Sequence, residues 1–235
     1  MKTKLTIALT LAIANFTLLP AFAQLSDKPP SAPPPRGNPT PGGTFSGISC
    51  SKPPKPINAL IPQKDLEPFL VGQGLTTSEH PTFWVYSPYS SEETITAKFS
   101  LHDRRGRALY RTTFNLPKTA GIIRLQAPTE AKYALEQEQF YHWYFSIQCT
   151  ASDATLHDLI VDGWVKRVAV TPETEAEVNA AQPELWYDSL TRLANLRLAS
   201  PQDEALKQDW SKLLTSAGLE TLIEEPLLEP VARND

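Results

Sequence analysis

The stretch QFYHWYFSIQC, residues 139–149, decides the fold. Tyr141, Trp143, Phe145, Ile147 and Cys149 occupy alternate positions, with Phe140, His142, Tyr144, Ser146 and Gln148 between them. A two-residue period is that of a β-strand, whose side chains point to opposite faces in turn. A face so rich in aromatics belongs against a second sheet, and it turns Cys149 inward.

The same period extends in both directions. In TITAKFSL, residues 94–101, Ile95, Ala97, Phe99 and Leu101 share one face, opposite Thr94, Thr96, Lys98 and Ser100. His102 to Gly106 reads as a turn, with Gly106 free to take positive φ, and residues 107–116 return as the second arm of a hairpin. Phe83 to Tyr86, between Pro81 and Pro88, is a short aromatic strand, and Gly121 to Ala127 is another, closed by Pro128. Between Leu159 and Val168 the apolar parity slips at Asp162-Gly163-Trp164, which suggests a bulge at Gly163. These strands predict a mainly β fold with a C-terminal α part: an antiparallel immunoglobulin-like or fibronectin-like β-sandwich followed by a helical hairpin.

After Val170 the period becomes helical. Thr171-Pro172 begins a weak helix, and Pro183 with Glu184 opens a clearer one along Trp186, Leu190, Leu193 and Leu196–Arg197. Asp188 and Arg192 are spaced for an i,i+4 ion pair. Ser200 to Asp203 resembles a capping box, and the next helix buries Leu206, Trp210, Leu213, Leu214 and Ala217 before Gly218 ends it. The short connection makes the two helices antiparallel, with a joint apolar face wide enough to need a sheet or a partner. The acidic tail after Leu219 reads as loose coil.

The N-terminus carries an export signal. Lys2 and Lys4 precede an apolar run from Leu5 to Leu19, and Ala21-Phe22-Ala23 predicts cleavage before Gln24. The run is short for a bilayer span, so the mature chain is expected to be secreted or periplasmic with no integral membrane anchor. Residues 28–62 hold eleven of the 22 prolines, marking an extended arm. The division is therefore signal peptide 1–23, Pro/Gly-rich linker 24–56, β domain 57–170, helical segment 171–225 and tail 226–235.

Cys50 and Cys149 are the two cysteines. In an oxidising compartment an even count reads first as one disulfide, against two buried free thiols or an intermolecular bond. The bridge would close a loop of roughly 100 residues, for which chain entropy sets a ceiling of about 4.7 kcal/mol.

A net charge of −4 lacks the basic stripe that nucleic acid requires. His80, His102, His142 and His157 form no metal-binding pair, and Asp153, Asp158 and Asp162 are not spaced as a calcium loop. Cys149 as a nucleophile with His142 or His157 as base is disfavoured, because His142 lies on the opposite strand face and an inward Cys in an oxidising compartment reads first as a disulfide. No G-x-S-x-G elbow is present. No cofactor, metal or catalytic residue is expected. The outward members of the aromatic strands remain: Trp84 with Tyr86 or else Phe83 with Val85 in one, and Phe140, His142 and Tyr144 in the other. Trp84, Tyr86 and Tyr144 are the candidate ligand face, on which a sugar would stack.

Six blocks in order resemble an uncharacterised secreted-protein family found mainly in cyanobacteria, designated only as a domain of unknown function. They are GLTTSEHPTFWVYSPY (74–89), FSLHDRRGRALY (99–110), GIIRLQAP (121–128), YHWYFSIQC (141–149), VDGWVKRV (161–168) and WYDSLTRLANLR (186–197). The Gly-rich segment GGTFSGISC (42–50) resembles the one that precedes the domain in that family. Its members tend to have a longer bridge before the Trp-Tyr-Asp block, which bears on the helix around residues 172–182. The resemblance implies export and brings no activity to carry over. The sequence thus leads to a non-enzymatic binding or assembly module contacting an envelope or extracellular protein. A polysaccharide-binding module is the alternative, and a hydrolase with an unrecognised site comes third.

Overall fold

The computed structural model describes residues 53–64, 71–92, 96–150, 156–228 and 233–234. The expected leader and cleavage site, most of the proline-rich stretch, Cys50 and the side chains of Cys149 and His157 lie outside the described residues.

Two sheets organise the chain, which is mainly β with C-terminal helices. The smaller has the order β1 (Asn58–Ala59), β3 (Thr82–Ser87), β6 (Gly121–Gln126), antiparallel throughout. The larger runs β2 (Gln73–Thr76), β8 (Leu156–Arg167), β7 (Phe140–Thr150), β4 (Thr96–Asp103), β5 (Ala108–Phe114), β9 (Arg233–Asn234). On β7, Trp143, Phe145 and Ile147 are fully buried, as their alternation requires. The Phe83 ring of β3 lies 5.3 Å from Phe99 on β4 and 5.3 Å from Trp143 on β7, so the sheets meet through aromatic contacts.

Two details of the expected β layout are corrected. The larger sheet is not wholly antiparallel, because β2 pairs in parallel with β8. A parallel pair needs a long crossover, and the excursion from Thr76 to Leu156 supplies it. Nor is there a bulge at Gly163, since β7 and β8 stay in register from Phe140↔Lys166 through Trp143↔Gly163 to Thr150↔Leu156. The parity slips because Trp164 faces outward and Gly163 inward. A Cβ at Gly163 would lie 2.6 Å from Ile61 Cδ1 and 3.0 Å from the Trp143 ring, so only hydrogen fits there. The register shift in this sheet falls instead between β4 and β5, at Leu101/His102.

α1 (Pro172–Asn179) is helical, held by a reciprocal cap between Thr171 and Thr174. α2 (Trp186–Ala199) and α3 (Glu204–Ser216) follow. The cap of α3 is Asp203, not Ser200: its carboxylate accepts from the amides of Ala205 and Leu206. A Gly at 74 lets α2 approach β2, since a Cβ would meet Trp186 Cβ and the Tyr187 ring at 3.0 Å. Trp186 donates to Leu60 O at 2.8 Å, and the Tyr187 hydroxyl accepts from Trp143 Nε1 at 2.8 Å while donating to Trp164 O at 3.0 Å. Asp188 does not pair with Arg192 as its spacing suggests. It accepts from Thr76 Oγ1 at 2.5 Å, Thr77 N at 2.6 Å and Thr77 Oγ1 at 2.7 Å, which clamps α2 to the end of β2.

The helices and both sheets share one hydrophobic core. Every residue of β3 is buried, because the larger sheet covers one face and α2 lies against the other. The C-terminal segment is also paired rather than loose. Ile122 N donates to Pro226 O at 2.8 Å, Leu228 N donates to Ile122 O at 2.9 Å, and β9 pairs with β5.

Candidate functional site

No described residue roofs the outer face of the larger sheet, and strand register orders its side chains into rows. Arg111 on β5, Ser100 on β4, Tyr144 on β7 and Asp162 on β8 are direct cross-strand neighbours. One row away stand Thr113, Lys98, Ser146 and Ile160; on the other side stand His102, His142 and Trp164. Strands about 4.8 Å apart bring neighbours in each row into side-chain reach.

One hydrogen-bonded network joins three of these strand positions. His142 Nε2 lies 2.6 Å from Asp162 Oδ2, and His142 Nδ1 lies 2.7 Å from the Tyr144 hydroxyl. Burial first, and then the charge of Asp162, push the Tyr144 phenol above its ordinary pKa. Nε2–H donates to Asp162, a pure acceptor, and Nδ1 shares a hydrogen bond with the Tyr144 hydroxyl. The His142 ring stacks on Trp164 with centroids 4.1 Å apart, which fixes its plane. Trp164 is 8% exposed, so it serves mainly as the bed for His142.

His102 is oriented just as firmly. Its Nδ1 lies 3.1 Å from Gly106 O, a pure acceptor, so Nδ1 carries the proton. Its Nε2 lies 3.0 Å from Ser100 Oγ, within hydrogen-bond distance. The floor therefore holds the Ser100 and Tyr144 hydroxyl oxygens in fixed positions, each hydrogen-bonded to an imidazole.

Two shallow grooves lie over this floor. One, of about 690 Å³, is lined by residues including Ser100, His102, Arg104, Arg105, His142 and Tyr144. The other, of about 670 Å³, adds Lys98 and Tyr133. They share Ser100, Arg111, Tyr144 and Ser146, so they form one continuous depression across the strands.

Of the candidate ligand face, Tyr144 alone lies in this depression. Trp84 is 1% exposed and Tyr86 is 4% exposed, so neither presents a surface to a ligand. Trp84 donates to Thr191 Oγ1 at 3.0 Å from beneath α2, and Tyr86 packs beside Glu225. The reason is the helical cover on β3, which supplies a second dry face. TFWVYS was legible as such a strand, being apolar or aromatic at four consecutive positions. His142 lies opposite the buried aromatic face, as its alternation predicts, and is hydrogen-bonded there. Asp162, Trp164, Ser100, His102 and Arg111 were missed as a set. Carrying the alternation of β8 straight through Gly163 places Asp162 and Trp164 on the His142 face.

Among the described residues, no group of three His, Cys, Asp or Glu is placed to hold a metal ion. Among them, too, no helix is long and apolar enough to cross a membrane.

Fold and site together define a mainly β protein with C-terminal helices, one sheet face roofed by its own chain and one polar face that no described residue roofs. Residues 40–227 match the family described as Domain of Unknown Function (DUF928), and the chain belongs to that family. No curated protein matches it.

Proposed function

We propose that this protein is an exported, non-enzymatic binding module that holds a polysaccharide on the outer face of its larger sheet. The two facing sheets form a β-sandwich scaffold, with α2 and α3 a hairpin over the smaller one. A Cys50–Cys149 bridge fastens the arm to β7; two thiol equivalents in denatured, unreduced protein would refute that bridge.

The observation that carries the reading is the Asp162–His142–Tyr144 network at the floor of an open depression. It holds an aromatic ring and a row of hydroxyl oxygens in fixed positions, as a sugar-binding surface needs. A protein partner docked on the helices has less support, because Trp186, Tyr187, Leu190, Leu193 and Ala194 are already buried. A hydrolase built on Tyr144 has less as well. A nucleophile needs its proton loosened, whereas the surroundings of Tyr144 hold the proton on.

The test is affinity electrophoresis of residues 24–235 through gels containing soluble polysaccharides of varied linkage and charge. Retardation by at least one polysaccharide, abolished by Tyr144→Ala in protein that circular dichroism shows to be still folded, supports the reading. Unretarded migration through every gel overturns it.

A further inference from the structure

We infer that the polysaccharide crosses the strands, so that the protein grips an internal stretch of the chain and meets it a second time at Tyr133. This rests on the glycan-binding reading above and specifies which part of the polymer is held. The two grooves overlap at Ser100, Arg111 and Tyr144, three members of one cross-strand row, with Ser146 one row away. That row starts at Asp162 on β8 and ends at Arg111 on β5, three strand spacings or about 14 Å away. An extended chain of pyranose rings advances by about one strand spacing per ring. Polar groups set along the row at that spacing therefore meet successive sugars, whereas a site for one terminal sugar gathers its groups around a single ring.

The two directions in the depression differ in what they run into. Along β4 and β5 it runs into their turn, whose Arg104, Arg105 and Gly106 line it. A chain laid along the strands stops at that rim and is held by its terminus. Across the strands no described turn intervenes, and the depression continues past Ser100 and Arg111 to Tyr133. Tyr133 ends a short 3-10 turn, Ala131–Tyr133, packed beside β5. Its ring stands edge-on to Tyr110 with centroids 5.2 Å apart, and the Lys132 ammonium lies 4.6 Å from its centroid. These neighbours fix the ring while it remains partly exposed, which makes it a second preorganised contact in the groove that holds Tyr144. β4 and β5 separate the two tyrosines, so a ligand touching both must span several rings. Four strand positions and Tyr133 together accommodate about five sugars.

The experiment measures binding of residues 24–235 by titration calorimetry to oligosaccharide ladders of two to eight units from cellulose, xylan, dextran and polygalacturonate. Soluble polymers of each type are titrated alongside. In at least one ladder, Kd is expected to fall at least about tenfold between two units and five, then to level off. Long polymer chains should each load several protein molecules, in proportion to chain length. Tyr133→Ala, shown folded by circular dichroism, is expected to weaken the five-unit ligand about tenfold and to leave the two-unit ligand on Tyr144 unchanged. Arg111→Gln, at an exposed position in the same row, should also weaken the five-unit ligand more than the two-unit one. Full affinity at one or two units, with one protein per polymer chain, means that a terminus is held; it overturns the inference and leaves the glycan reading standing. Length-dependent binding that neither substitution reduces puts the chain on another path and overturns it as well. Absence of binding to every ladder and polymer removes both.

Discussion

β3 and β7 are both aromatic strands in the interior of their sheets, yet they meet water differently. All six residues of β3 are buried, while β7 alternates between buried Tyr141, Trp143, Phe145 and Ile147 and partly exposed His142, Tyr144, Ser146 and Gln148. The off-face residues record the difference. Trp84 and Tyr86 fill the second face of β3 with apolar bulk, the first covered by α2 and the second lying beside Glu225; His142, Ser146 and Gln148 fill the second face of β7 with polar groups, and nothing described lies over them. An aromatic side chain alone therefore does not mark a ligand face. What separates a roofed strand from an open one is the company it keeps at i±2.

The largest effect that tests this contrast comes from truncating one aromatic on each strand. Trp84→Ala empties a fully buried site and is expected to cost about 3–5 kcal/mol in urea unfolding. Tyr144→Ala removes a partly exposed ring and is expected to cost about 1 kcal/mol or less. Equal losses for the two would break the contrast. Next in size is the clamp that holds the roof in place. Asp188→Ala leaves the hydroxyl groups of Thr76 and Thr77 and the amide of Thr77 without their shared acceptor, for an expected loss of about 2–3 kcal/mol. Asp188→Asn, which keeps one acceptor oxygen, should lose less. If Asp188→Ala costs no more than a surface change, α2 is held by its packing and its other hydrogen bonds, and the carboxylate clamp adds nothing.

Much of this arrangement was legible in the sequence. The inward face of β7, the hairpin of β4 and β5 with positive φ at Gly106, and the helical stripe through Trp186, Leu190 and Leu193 all follow from local periodicity. Contacts distant in the chain were not legible. The spacing of Asp188 and Arg192 is a local signal, and two threonines more than a hundred positions away outcompeted it. Likewise, the slip at Gly163 looked like a bulge because a Trp was assumed to seek the core. Gly163 faces the core so that Trp143 and Ile61 can close over it, and Trp164 turns outward beneath His142. The site escaped notice because its members come from four strands and converge only through register.

The smallest expected effect sharpens the open side of the contrast. Arg104 and Arg105 at the rim of the depression sit on the β4–β5 turn, and Asp103 ties that turn down. One of its oxygens accepts from the amides of Arg105 at 2.8 Å and Arg107 at 2.9 Å, and the other accepts from Arg107 Nε at 2.7 Å. Burial pushes the Asp103 carboxyl up, but these donors outweigh it and hold its pKa below the ordinary value. A carboxyl depressed in the folded state binds protons less readily there than in the unfolded chain. Its stabilisation is therefore full above the ordinary carboxyl value of about 4 and is lost as pH falls through the lower folded value. Asp103→Asn keeps an acceptor for the two amides and removes the titration. Its melting temperature at neutral pH should fall only slightly, since Arg107 is largely exposed and its ion pair is screened. On acidification below pH 4, the parent should lose more of its melting temperature than the variant, so that the two curves converge. Parallel curves through that window would mean that Asp103 does not anchor the turn by charge, and that the basic rim keeps its place through the β4–β5 pairing alone.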